Sequence, residues 1–157
     1  MFYWYDNVSN SFFLKDEINS SYIPQIVWVI TDKCNYKCPF CFQPKTGTEI
    51  CLEQLDMYIE IFKKLGIQKI DISGGEPLYF NSLVKVIETL KTNLFHVTIS
   101  TNGSGLSSNR NWIVSNANIF SRIIISLNGC NEKQNNFLCG VESAYNSFLS
   151  FIELLKE

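Results

Sequence analysis

The sequence predicts an α/β protein, a parallel-sheet partial (β/α) barrel of about four βα units with a β-hairpin ahead of it. Three observations carry this prediction. Short β-branched runs recur along the chain, and each is followed by apolar residues at helical spacing, the rhythm of βα units around a parallel sheet. Each run also leads into a short motif of unusual composition, and in parallel βα architectures ligands sit at the carboxyl ends of the strands. A length of 157 residues with 46% apolar content supplies material for one core, and the βα rhythm is the only repeat.

The first strand is read at residues 26–30, Ile-Val-Trp-Val-Ile, a run without polar alternation and therefore expected to be buried on both faces. It delivers the chain into the run Cys34-Asn35-Tyr36-Lys37-Cys38-Pro39-Phe40-Cys41. Leu55, Ile59 and Phe62 then repeat at helical spacing, Leu52 and Leu65 extend the stripe, and Gly66 suits the C-terminal cap. The second strand, residues 69–73, ends on Gly74-Gly75-Glu76-Pro77 and leads to a helix beginning near Asn81, marked by Leu83, Val86, Ile87 and Leu90. The third strand, residues 96–101, ends at the turn signal Asn102-Gly103, followed by a poorly patterned helix around residues 109–116. Residues 122–127 make the fourth strand and lead into Ser126-Leu127-Asn128-Gly129; Tyr145, Phe148, Leu149, Ile152 and Leu155 mark the last helix.

The N-terminal residues differ. Phe2-Tyr3-Trp4-Tyr5 and Ser11-Phe12-Phe13-Leu14 flank a polar turn, which reads as an aromatic hairpin covering the barrel's end or an exposed sheet edge. The expected division is a hairpin extension over residues 1–24 and a core domain over 25–157. A formal charge of -2 without Lys/Arg clusters gives no electrostatic case for nucleic acid or an anionic membrane. The apolar run at residues 26–30 is far too short to span a bilayer, and the first residues lack the basic start of a secretory signal. With six cysteines, three of them clustered, a reducing, cytoplasmic setting and a metal cofactor fit better than a disulfide framework.

The spacing C-x3-C-x2-C lets three thiolates converge while leaving a fourth ligand out. Structural zinc closes with four protein ligands, whereas an iron-sulfur cluster on three thiolates keeps one iron open to something reactive. Taken alone, the run leaves zinc and a buried cluster both open. Gly74-Gly75 alone is an ordinary tight turn, and Thr101-Asn102-Gly103 is as readily structural as functional. His96 opens a strand and receives no role. Cys51, Cys130 and Cys139 lack tight ligand spacing and read as small buried hydrophobes, while Lys33 and Lys37 beside the cysteine run read as solvated.

The cysteine run with aromatic Phe40 before its last cysteine, and Gly74-Gly75-Glu76-Pro77 one βα unit later, resemble the radical S-adenosylmethionine (radical SAM) superfamily. Thr101-Asn102-Gly103 and Ser126-Leu127-Asn128-Gly129 are similar to motifs of its peptide- and protein-modifying, anaerobic sulfatase-maturating members. The resemblance covers Gln25 to the C-terminus. It implies that Cys34, Cys38 and Cys41 ligate three irons of a [4Fe-4S] cluster whose fourth iron chelates S-adenosylmethionine. It implies Phe40 near the adenine, Gly74, Gly75 and Glu76 around the methionine ammonium, and Ser126 and Asn128 on the ribose; no catalytic side chain is assigned. Relatives often carry Asp in place of Asn128, but an amide also hydrogen-bonds a ribose hydroxyl. They often have Arg before the glycine of Cys139-Gly140.

The activity implied is reductive cleavage of S-adenosylmethionine to a 5'-deoxyadenosyl radical that abstracts hydrogen from a substrate, with a lean toward a peptide or protein. An electron donor such as a ferredoxin or flavodoxin is implied as a partner. The family core resembles a six-stranded partial barrel, so the chain is expected to be incomplete at its C-terminus: an N-terminal portion, one product of a split gene, or a truncated relative that needs a partner chain to complete the barrel. The alternative reading is a non-catalytic or degenerate cluster-binding scaffold or partner subunit. A zinc-stabilised binding module is the third.

Overall fold

The structure, a computed structural model, describes the backbone of residues 2–6, 11–15 and 24–156, and the side chains of 24–156. β1 (Phe2–Asp6) and β2 (Ser11–Lys15) pair antiparallel with Phe2 opposite Lys15, the hairpin that the sequence predicts. The polar turn of this hairpin and the surface it covers lie outside the described residues.

Four further strands form one parallel sheet. They are β3 (Gln25–Thr31), β4 (Lys69–Gly74), β5 (His96–Thr101) and β6 (Arg122–Ile125), hydrogen-bonded in the order β3-β4-β5-β6. Strands adjacent in sequence are adjacent in space, and all are joined by crossovers, the arrangement of a partial parallel (β/α) barrel. The helices are α1 (Leu55–Lys64), α2 (Leu83–Thr92), α3 (Ser107–Ser115), α4 (Glu132–Cys139) and α5 (Ala144–Leu154). Gly66, at φ +68°, ends α1 in the left-handed conformation, and the Ile67 N–H returns to the Phe62 carbonyl at 2.9 Å, as its position in the sequence predicts. The helix around residues 109–116 starts two residues earlier than its apolar pattern, because that pattern is weak.

One face of the sheet carries the core. Trp28, Ile30, Ile70, Ile72, Val97 and Ile99 point to the helices and meet Ile59 and Phe62 of α1, Leu83, Val86, Ile87 and Leu90 of α2, Ile113 of α3 and Phe151 of α5. The Trp28 ring stands edge-on to Phe62 with centroids 5.1 Å apart. The opposite, inner face is mixed in character: the register aligns Val27, Asp71, Thr98 and Arg122 in one row, and pairs Val29 with Ser73 and Ser100 with Ile124 in the next.

Burial of the first strand on both faces is corrected here. Val27 is 63% and Val29 41% exposed, because β3 is an edge strand and the helices cover only the face that holds Trp28 and Ile30. Helix α4 went unread in the sequence. Its buried residues are Asn135 and Cys139, so it has no apolar stripe; the Asn131 side chain caps its start by accepting from the Gln134 N–H, and Gly140 ends it at φ +65°. Among the described residues no helix is long and apolar enough to cross a membrane.

Ile72 is fully buried in β4 between two neighbouring strands. Ile72→Ala is expected to cost about 2–5 kcal/mol, read as a lower urea midpoint with unchanged slope. A midpoint within error of the parent chain contradicts this packing.

Candidate functional site

The site is built where β3 and β4 end side by side. The Gly75 N–H donates to the Thr31 carbonyl at 2.7 Å and the Glu76 N–H to the Lys33 carbonyl at 2.8 Å. This extends the pairing of β3 and β4 beyond the strands and onto the stem of the cysteine run. A side chain has no room there: a Cβ on Gly74 would overlap the Thr31 carbonyl oxygen, and one on Gly75 would overlap the Lys33 oxygen and stand 2.6 Å from that of Asp32.

The cysteine run is a loop braced from within and from α4. Tyr36, 4% exposed, packs with Cys139 and Ala144, and with Cys34, Cys38 and Val141 around them. The Lys37 N–H donates to the Cys139 carbonyl at 3.0 Å, and the Cys41 N–H to the Cys38 carbonyl at 3.1 Å. The far arm of the loop is pinned by Asp32, whose carboxylate accepts from the Thr46 hydroxyl at 2.6 Å, the Thr46 N–H at 2.9 Å and the Gly47 N–H at 2.7 Å. The Thr46 hydroxyl, followed by these backbone donors, holds Asp32 below the usual carboxylate range. Between these anchors Lys45 adopts φ +54°, a left-handed conformation costing a non-glycine residue about 1–2 kcal/mol, and its ammonium donates to the Tyr36 carbonyl at 2.6 Å.

The ends of the four strands enclose a cavity of ≈ 240 Å³. It is lined by Cys34, Cys38 and Cys41, by Phe40, Gly74 and Gly75, and by Ser126 and Asn128, so eight of the nine residues singled out in the sequence meet in one place. The volume lies below the ~300 Å³ at which ligand pockets usually begin, so these residues supply one wall of a site. Phe40 is 58% exposed at the rim. The Asn128 side chain donates to the Cys139 sulfur at 3.4 Å, while the buried Asn135 side chain accepts the backbone N–H groups of Asn128 and Gly129 at 2.9 and 3.2 Å.

Glu76 stands behind this wall. It is fully buried, and its carboxylate accepts from the Thr101 hydroxyl at 2.5 Å, the Asn102 N–H at 2.6 Å and the Leu78 N–H at 2.9 Å. Burial pushes its pKa up to about 7, outweighing these three donors, which favour the charged form. Through Glu76 the second strand's loop holds the third strand's loop. Asn102 of that loop lines the cavity, with its side-chain amide 3.9 Å from the Cys34 sulfur and 3.3 Å from the Asn35 oxygen.

Burial raises the thiol pKa of Cys34, and raises that of Cys38 to about 11, with the neighbouring Cys139 and Cys34 adding to the latter. Among the described residues no three His, Cys, Asp or Glu side chains come close enough together to hold a single metal ion. Three thiols that line one cavity fit the protein ligand set of a multi-iron cluster, in which each thiolate would take a different iron. All six cysteines are unpaired; Cys51 and Cys130 are exposed and away from the cavity, and Cys139 is buried beside Cys38.

Sequence reasoning missed Tyr36, Lys45 and Asn135, and gave Asn102, named within its turn motif, no site role. The first two sit in or just after the cysteine run, where an aromatic and a lysine carry no pattern of their own. Asn135 was hidden in the unread helix.

Gly75→Ala is expected to lower the unfolding free energy by more than about 2 kcal/mol, since two backbone bonds of about 1 kcal/mol each are lost and an overlap is added. A denaturant midpoint equal to that of the parent chain contradicts the close approach of β3 and β4. Glu76 binds its proton more tightly in the folded than in the unfolded chain. Its contribution to stability is therefore complete below the ordinary carboxylate pKa and lost as pH rises through about 7. Glu76→Gln is expected to flatten this part of the stability profile, measured on metal-free protein from pH 5 to 8; an unchanged slope contradicts the assignment.

The chain matches the radical SAM superfamily over residues 28–157. It is 31% identical over 117 residues to a GTP 3',8-cyclase of Aquifex aeolicus, covering 68% of this chain and 35% of that protein. It is 30% identical over 112 residues to an S-adenosylmethionine-dependent nucleotide dehydratase of Siniperca chuatsi, covering 69% and 32%. The chain thus spans about a third of the length of these curated relatives. Among solved structures it is similar to Streptococcus suis SuiB bound to its precursor peptide SuiA, with TM-score 0.64, 22% identity, and 84% of this chain and 31% of that one covered. It is also similar to native anSMEcpe with bound AdoMet and the Cp18Cys peptide, with TM-score 0.64, 19% identity, and 85% and 40% covered. These likenesses fix the fold, a partial parallel (β/α) barrel. The superfamily consists of enzymes that use a [4Fe-4S] cluster and S-adenosylmethionine. On the match over residues 28–157, the chain belongs to the radical SAM superfamily.

Proposed function

We propose that residues 25–157 bind a [4Fe-4S] cluster and S-adenosylmethionine, and that they cleave the latter reductively for hydrogen abstraction from a substrate. The observation that carries this reading is the meeting of three thiols, the Gly74-Gly75 backbone and the Ser126 and Asn128 side chains around one cavity at the carboxyl ends of four parallel strands. When bound, the cluster and its ligand supply a 5'-deoxyadenosyl radical.

In this reading Cys34, Cys38 and Cys41 hold the cluster. Gly74 and Gly75 present bare backbone to the methionine end of the cofactor, and Glu76 acts from behind by fixing the loops of β4 and β5. Phe40 at the rim packs near the adenine and helps to exclude water. Ser126 and Asn128 hydrogen-bond the ribose, Asn128 being set by Asn135 and Cys139. The hairpin of residues 1–24 is a separate extension. Six unpaired cysteines support a reducing, cytoplasmic setting, in which a ferredoxin or flavodoxin donates the electron.

The substrate we propose is a peptide or protein, bound with the help of further chain or a partner that completes the barrel. This reading is supported by the fold shared with solved structures whose titles name a bound peptide, SuiB with SuiA and anSMEcpe with Cp18Cys. A nucleotide is the second reading, favoured by the sequence relatives that act on nucleotides. A cluster-binding scaffold without turnover is the third.

Anaerobic reconstitution with iron and sulfide is expected to give a brown protein with broad visible absorption, lost in Cys38→Ala. Under dithionite the reconstituted chain is expected to release 5'-deoxyadenosine from S-adenosylmethionine. A colourless chain that takes up zinc alone sinks the cluster; a coloured chain that releases no nucleoside, alone or with a partner, leaves the scaffold.

A further inference from the structure

Among the described residues, Lys45 is the one cationic side chain that lines the cavity. The two lysines that flank the cysteine run in sequence are not placed to serve there: Lys33 pairs with Glu49 at 3.0 Å, and Lys37 is exposed outside the cavity wall. Lys45 is half-buried, and its ammonium sits on the Tyr36 carbonyl between the first two cysteines of the run.

The backbone shows that this placement is enforced. Lys45 holds a left-handed φ of +54° that glycine adopts freely and lysine does not, and the three hydrogen bonds from residues 46 and 47 to Asp32 fix the turn that demands it. A strained backbone that brings a long cation back over a loop of three cysteines has a ready use. A cluster on three thiolates carries net negative charge, and reduction adds one more. A fixed cation at its edge stabilises the reduced form over the oxidised one.

We propose that Lys45 is the countercharge of the cluster held by Cys34, Cys38 and Cys41, and that it raises the potential at which this cluster accepts an electron. The proposal rests on the cluster reading above. It assigns Lys45 a positioning and electrostatic role, with no contact to the reacting atoms required.

The test is an EPR-monitored redox titration of the anaerobically reconstituted protein with dithionite and mediators, on the parent chain, Lys45→Arg and Lys45→Gln. Gln keeps a donor for the Tyr36 carbonyl and loses the charge, whereas Arg keeps the charge. Lys45→Gln is expected to lower the ratio of reduced to oxidised cluster at a given potential about tenfold, a midpoint about 59 mV more negative. Lys45→Arg is expected to stay at the parent midpoint. If Gln assembles no cluster and Arg does, the charge is likewise what the site needs. A Gln midpoint equal to the parent's, or loss of the cluster in both variants, overturns the countercharge in favour of a role in loop shape. Absence of any cluster in the parent chain overturns the reading beneath it, a separate outcome seen by iron analysis before titration begins.

Discussion

The close backbone contact between the ends of β3 and β4 is the constraint on which the site depends. Gly74 and Gly75 have the family motif's expected glycines, but in this fold their missing side chains first make room for the neighbouring strand. Thr31, Asp32 and Lys33 run so near that a Cβ at either glycine meets a carbonyl oxygen. Two N–H groups of the glycine loop then hold the stem of the cysteine loop. The loop bearing the thiols and the glycine loop are therefore one hydrogen-bonded unit, and their relative position is set by backbone, which has few soft degrees of freedom.

From that unit the rest of the site follows by a chain of polar contacts. Glu76 passes the order from β4 to the β5 loop through Thr101 and Asn102, and Asn102 returns toward Cys34. On the far side, α4 does the same for β6: Asn135 holds the backbone of Asn128 and Gly129, and the Cys139 carbonyl holds Lys37. Burying the Glu76 carboxylate costs free energy unless it is hydrogen-bonded, and three donors meet it here. Buried networks of this kind favour one arrangement of loops over others, which suits the cluster site proposed above.

Much of this was legible in the sequence for identifiable reasons. Strands β3 to β6 are runs of β-branched residues that nothing else explains, and the motifs at their carboxyl ends name the site because parallel βα folds collect ligands there. Helix α4 was not legible, since its inward residues Asn135 and Cys139 are polar or small and its apolar Phe137 is 79% exposed. The two-sided burial expected of residues 26–30 failed because an apolar run specifies a strand but not whether both its faces are covered. Glu76 could be named but not oriented: sequence spacing places it in the glycine motif, and only the fold buries its carboxylate against Thr101 and Asn102, behind the residues that line the cavity. Lys45 was invisible because its importance lies in a backbone turn made by Asp32, thirteen positions earlier.

The central claim is that the cysteine loop and the glycine loop act as one unit, so that a cluster on the first has the cofactor on the second at its open iron. Continuous-wave EPR of the reduced, reconstituted cluster, recorded with and without S-adenosylmethionine, tests it most directly. The account predicts that the cofactor shifts the g-values of the parent protein, and that Gly75→Ala, where any cluster forms, loses the shift. A parent cluster whose spectrum is unchanged by S-adenosylmethionine contradicts it.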